Sequence, residues 1–121
     1  MKMHNRPYDI IVFGATGFTG KLVVEYLIEH YGVNNKLFTW AIAGRDEDKI
    51  EKVIETLAVK NDQVKKIKFF IADSFDKKSL DHISKSANLI ISTVGPYIKY
   101  GKNLVSHCAK NGTHYCDLTG E

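Results

Sequence analysis

The 121-residue chain predicts an α/β fold, a three-layer αβα arrangement around a doubly wound parallel sheet of about five strands in the order 3-2-1-4-5. Three observations point there. Short apolar runs alternate with amphipathic stretches along the whole chain, with no internal repeat, low-complexity tract or linker. The first, second and fourth runs are apolar on both faces, as strands sandwiched between helices must be. Three glycines, Gly14, Gly17 and Gly20, fall between the first apolar run and the first amphipathic stretch.

The elements follow in order. Strand one is read over Tyr8 to Phe13 and helix one over Thr19 to His30, with Gly32 as its stop. Strand two covers Phe38 to Ala43. Helix two covers Glu47 to Leu57, capped by Asp46, with Ile50, Val53, Ile54 and Leu57 at helical spacing. Strand three is expected over Ile67 to Ala72 and a short helix three over Lys77 to Lys85, Leu80 and Ile83 facing inward. Strand four runs from Leu89 to Val94. Helix four runs from Lys99 to Lys110, with Leu104, Val105 and Cys108 apolar and Gly112 behind it. Strand five is His114 to Leu118. Right-handed crossovers between parallel strands put strands three, two and one in that order and send strand four to the other side of strand one. The ligand then belongs at the switch point, outside the carboxyl ends of the strands.

Composition narrows the function. Hydrophobic residues make up 44% and charged residues 26% of the chain, the balance of a single globular domain spanning 1–121. The net charge of +3 is spread among acids and not gathered in one block, which argues against nucleic acid as a partner. Cys108 and Cys116 lack CxxC spacing and read as reduced thiols, and Cys116 as a buried small residue. There is neither a signal-peptide pattern nor an apolar run of membrane-spanning length. A cytoplasmic, reducing setting is the expectation. The five histidines show no metal-ligand spacing, so no metal is expected.

The strand ends carry the chemistry. In Gly14-Ala15-Thr16-Gly17-Phe18-Thr19-Gly20, Gly14 turns the chain out of the strand. Gly17 admits a pyrophosphate close to the backbone, and Gly20 lets the helix pack on the strand. The helix N-terminus offers N–H groups and positive potential to the anion. After strand two comes Arg45, whose planar fork suits the 2′-phosphate of NADP(H). Otherwise it is a solvated loop residue. Asp46, one position on, keeps NAD use open. After strand three, Asp73 either accepts from the adenine amino group or caps helix three, a role Asp76 can also fill. After strand four, Val94 and Gly95 bring the backbone to the dinucleotide and Pro96 fixes the turn. Tyr97 lines a nicotinamide pocket or only packs. No Tyr-x-x-x-Lys pair follows it.

Taken together, the glycine loop, Ala43-Gly44-Arg45, Val94-Gly95-Pro96-Tyr97 and Asp117-Leu118-Thr119-Gly120-Glu121 resemble the saccharopine dehydrogenase-like oxidoreductase family, to which the trans-acting enoyl reductases are related. The resemblance covers the chain from Arg6 onward. It implies a Rossmann-like dinucleotide domain at the N-terminal part of a longer reductase, with the substrate domain beyond Glu121. It implies NADP as cofactor, hydride transfer in the intact protein, and a small-molecule or lipid-like substrate there. Membrane or lipid-surface association of the full-length protein stays open. It names neither a catalytic residue nor an oligomeric state, and the isolated chain is not expected to turn over substrate. A non-catalytic module that senses NADP(H) or binds a partner is the alternative.

Overall fold

The computed structural model describes residues 6–94 and 101–117. Strand β1 (Tyr8–Phe13) leads through the glycine loop into helix α1 (Phe18–His30). Then come β2 (Trp40–Gly44), α2 (Glu47–Ala58) and a 3-10 turn (Asp62–Lys66). β3 (Phe69–Ile71), α3 (Lys77–Ser86), β4 (Ala87–Ser92), α4 (Lys102–Asn111) and β5 (His114–Asp117) complete the described part. The five strands form one sheet in the order β3-β2-β1-β4-β5, and every neighbouring pair is parallel. The order read from the sequence is therefore the observed one.

Alternation along β1 divides the core in two. Ile11 and Phe13 pack with Leu80 and Ile83 of α3 and Leu104 and Cys108 of α4. Val12 points the other way, toward Val24 and Leu27 of α1 and Ile50 of α2. Ile11, Val12, Ile42, Ile50, Leu80, Ile83, Ile90 and Leu104 are fully buried. Each such side chain contributes about 1.5–3 kcal/mol of burial. That is what presses the helices onto both faces of the sheet.

Four expectations need correction. β2 begins two residues later than read, at Trp40. β3 is shorter than read: Ile67 and Lys68 precede it, because Asn61 caps a 3-10 turn that runs to Lys66, and Ala72 follows the strand. Even so, the Lys68 carbonyl already accepts from Ile42 N–H, and Ala72 N–H donates to the Gly44 carbonyl. Within that approach Ile67 still anchors the α1/α2 core at 5% exposure. β4 lies two residues earlier than expected, starting at Ala87. Cys116 is exposed, not buried. It sits on β5, an edge strand paired only with β4 among the described residues, where residues alternate between exposed and half-buried.

The turns behave as their chemistry dictates. Gly32 holds φ +82° behind α1, and its N–H donates to the carbonyls of Leu27 and Ile28. Gly112 does the same service for α4 at φ +68°. No described helix is long and apolar enough to cross a membrane.

Candidate functional site

The carboxyl ends of β1, β2, β3 and β4 converge on an open cleft of about 310 Å³. Its floor is Phe13, Gly14, Thr16 and Gly17. One flank is Gly44 and Arg45, another runs from Ala72 to Phe75, and Thr93 and Val94 close the β4 side. This is the switch point, where β1 has β2 on one side and β4 on the other.

The glycine loop is fastened to the sheet by its own backbone. The N–H groups of Gly14 and Ala15 both donate to the Ala43 carbonyl, at 2.9 and 3.2 Å. Thr93 secures the other side. Its N–H donates to the Phe13 carbonyl at 2.9 Å, and its hydroxyl lies within 3.0 Å of Phe13 O and 3.1 Å of Gly14 O. Gly14 has φ +89°, and a Cβ there would stand 2.7 Å from Thr93 Oγ1. Both facts favour glycine and make any other residue strained there.

The two later glycines serve different ends. A Cβ on Gly20 would come within 2.0 Å of the Gly14 carbonyl oxygen, so Gly20 is required for α1 to pack on the loop. A Cβ on Gly17 would meet nothing closer than Gly14 O at 3.6 Å. The described residues leave that space open, at the lip of the cleft. Gly17 is also the N-cap of α1, with no side chain capping the first turn and no acid within it. The first intrahelical bond is Lys21 N–H to Gly17 O at 2.9 Å. The first turn of α1 thus starts at the lip of the cleft with no side-chain cap, which is the arrangement a pyrophosphate fits.

The neighbouring helices are finished differently. Asp46 caps α2, accepting from Lys49 N–H at 3.2 Å. Asp76 caps α3, accepting from Lys78 and Ser79 N–H. The capping role left open for Asp73 therefore belongs to Asp76. Asp73 instead accepts from Phe75 N–H at 2.9 Å through Oδ1 and remains on the cleft wall. Arg45 is exposed on the rim and has no ion pair among the described residues.

Of the residues read from the sequence, Gly14, Thr16, Gly17, Arg45, Asp73 and Val94 line one cleft. Ala15 is fully buried in the α1/α2 core, and Gly20 is buried in α1. Phe18 points to solvent at 81% exposure, and Thr19 is half-buried beside it. Gly95, Pro96 and Tyr97 lie outside the described residues. The structure adds Gly44, Ser74, Phe75 and Thr93. Phe75, an aromatic 64% exposed on a cleft wall, carries the one local signal that could have announced it. Thr93 works through tertiary bonds that no local pattern reveals. Among the described residues no cluster of three potential metal ligands exists.

Known proteins agree with this geometry. A C. elegans "Lipid droplet localized protein" is 40% identical over 94% of this chain and 26% of its own length. A rat "Saccharopine dehydrogenase-like oxidoreductase" is 36% identical over all of the chain and 29% of its own length. A "Trans-acting enoyl reductase" of Mycobacterium leprae is 36% identical over all of the chain and 27% of its own length. The chain thus spans less than a third of the length of these relatives. Among solved structures, the Citrobacter sp. triphenylmethane reductase complexed with NADP(H) shares the fold, with a TM-score of 0.69 and 23% identity over 91% of this chain and 37% of that one. The family described as "Saccharopine dehydrogenase NADP binding domain" matches residues 10–121, and with its glycine loop, Arg45 and open cleft the chain belongs to that family.

Proposed function

We propose that the cleft holds NADP(H) with its pyrophosphate on the first turn of α1, its 2′-phosphate at Arg45 and its adenine between Asp73 and Phe75. The nicotinamide half then runs toward Thr93 and Val94. The observation that carries this reading is the pairing of an open Gly17 lip with an uncapped first turn of α1. Arg45 supports the choice of the phosphorylated dinucleotide, since it stands on the rim with its charge uncommitted among the described residues. Asp46 supports it too. One of its carboxylate oxygens, Oδ1, already accepts from Lys49 N–H at the start of α2.

In the intact protein this domain would serve an oxidoreductase passing hydride between the nicotinamide and a C=N, C=C or C=O group. The cofactor supplies the hydride chemistry, and these residues bind and orient it. The lipid-droplet name of one relative favours a lipid-like substrate and a lipid-surface setting for the longer protein. Two free cysteines suit a reducing compartment.

Calorimetric titration of the chain with NADPH and NADH tests the reading. NADPH is expected to bind more tightly, and Arg45→Ala to weaken NADPH by about 1.5–3 kcal/mol while barely moving NADH. Equal losses for both dinucleotides would remove Arg45 from the 2′-phosphate.

A further inference from the structure

We infer that Lys49 shares the 2′-phosphate with Arg45, so that cofactor choice rests on two cations placed on either side of Thr16. The inference rests on the reading of the cleft just given. A second hollow, of about 370 Å³, lies between α1 and α2. Lys21, Lys49 and Lys52 line it together with Glu25. Thr16 borders both this hollow and the cleft, so the two adjoin at this residue. The end of β2 is close by: a Cβ on Gly44 would stand 3.6 Å from Thr16 Cγ2. Arg45 follows Gly44 directly and lines the cleft, whereas Lys49 lines the adjoining hollow.

Charge explains why a second cation belongs there. A phosphomonoester carries about −1.5 to −2 at pH 7, and one guanidinium supplies a single positive charge and a two-pronged contact. Three lysines face one carboxylate in the hollow, and none of the three is ion-paired among the described residues. Lys49 is the lysine of α2 nearest in sequence to Arg45, in the first turn of the helix. Its backbone is fixed there by the Asp46 cap. The ammonium, a compact charge on a flexible stem, can approach the phosphate from the side that Arg45 leaves open. Lys52, three residues farther along α2, carries the same charge in the same hollow and serves as the control.

The test compares adenosine 2′,5′-bisphosphate with AMP, which differ only in the 2′-phosphate, on the unmodified chain, Lys49→Gln, Lys52→Gln and Arg45→Ala. Lys49→Gln is expected to weaken the bisphosphate about five- to tenfold and AMP less than about twofold, the scale of a partly exposed charge-assisted contact. Lys52→Gln is expected to change neither by more than about twofold. Thermal unfolding of both lysine variants should match the parent, because the cap uses the backbone N–H. Equal losses in the two lysine variants would reduce the effect to a diffuse field and overturn the inference. So would an unchanged bisphosphate affinity in Lys49→Gln alongside a loss in Arg45→Ala. If the unmodified chain bound the bisphosphate no better than AMP, the assignment of Arg45 would fall first and the inference with it.

Discussion

Two arginines mark opposite ends of the sheet, and their surroundings differ sharply. At the amino ends of the strands, the Arg6 guanidinium donates to the carbonyls of Ser84, Ala87 and Asn111 and to the Thr113 hydroxyl. It joins the end of α3, the start of β4 and the end of α4 in one cluster. At the carboxyl ends, Arg45 stands exposed beside a cleft and makes no ion pair among the described residues. The same side chain is a staple at one end and an exposed, unpaired charge at the other, among the described residues. Structure is completed where acceptors converge on a cation. A ligand site is built where cations and N–H groups converge on empty space.

The comparison can be broken at several points. The largest effect is expected from Gly20→Ala, because the new Cβ would strike the Gly14 backbone. A loss of about 3 kcal/mol or more in chemical denaturation is predicted. A stability change below about 1 kcal/mol would mean that the loop can retreat from α1. Arg6→Ala should cost about 2–3 kcal/mol, since it orphans carbonyls that water reaches only in part. NADPH affinity, measured at a temperature where both proteins are folded, should stay the same. A change in affinity would show that the two ends are coupled.

Gly17→Val sharpens the contrast from the other side. The site has room for a larger side chain, so circular dichroism and the unfolding midpoint should be largely preserved while dinucleotide binding is lost. Retained binding would mean that the phosphates do not approach Gly17. The smallest effect is expected at Asp81, beside the Arg6 cluster. Hydrogen bonds from Lys85 and from Asn111 hold its carboxyl down to about 2 from 3.8. Its folded-state value lies below its unfolded one, so its contribution is present above about pH 4 and fades as pH falls toward 2. Asp81→Asn should therefore make unfolding less pH-dependent over that acid limb. An unchanged limb would rule the pairing out as a contributor.

The sheet order and the helices were legible because their signals are local and repeated. Leu80 and Ile83, or Ile50 and Val53, recur at helical spacing and are buried where that spacing puts them. The 3-10 turn escaped because one turn has no period to read; only the Asn61 cap marks it. Cys116 misled because its burial depends on what covers an edge strand, which its own small, apolar character cannot report. The glycine loop announced a cradle, but the division of labour within it is tertiary. That a Cβ on Gly20 would collide with Gly14 O, and that one on Gly17 would meet only Gly14 O at 3.6 Å among the described residues, depends on where α1 lands. Thr93 belongs with these. It clamps the loop through Phe13 and Gly14, some 80 residues away along the chain.

The Asp46 cap has an evolutionary side. A lineage drifting toward NADH needs a carboxylate for the ribose, and the one next to Arg45 is already committed to starting α2. Turning that carboxylate away from Lys49 N–H to serve a ribose would uncap the helix at a cost of about 1 kcal/mol. If Arg45 reads the 2′-phosphate as proposed, losing it alone would give a poorer NADPH binder without supplying an acid for NADH. The route to the other cofactor then runs through a newly introduced acid or a re-aimed Asp46. The helix start thus acts as a ratchet, tending to keep descendants of this domain on the phosphorylated dinucleotide.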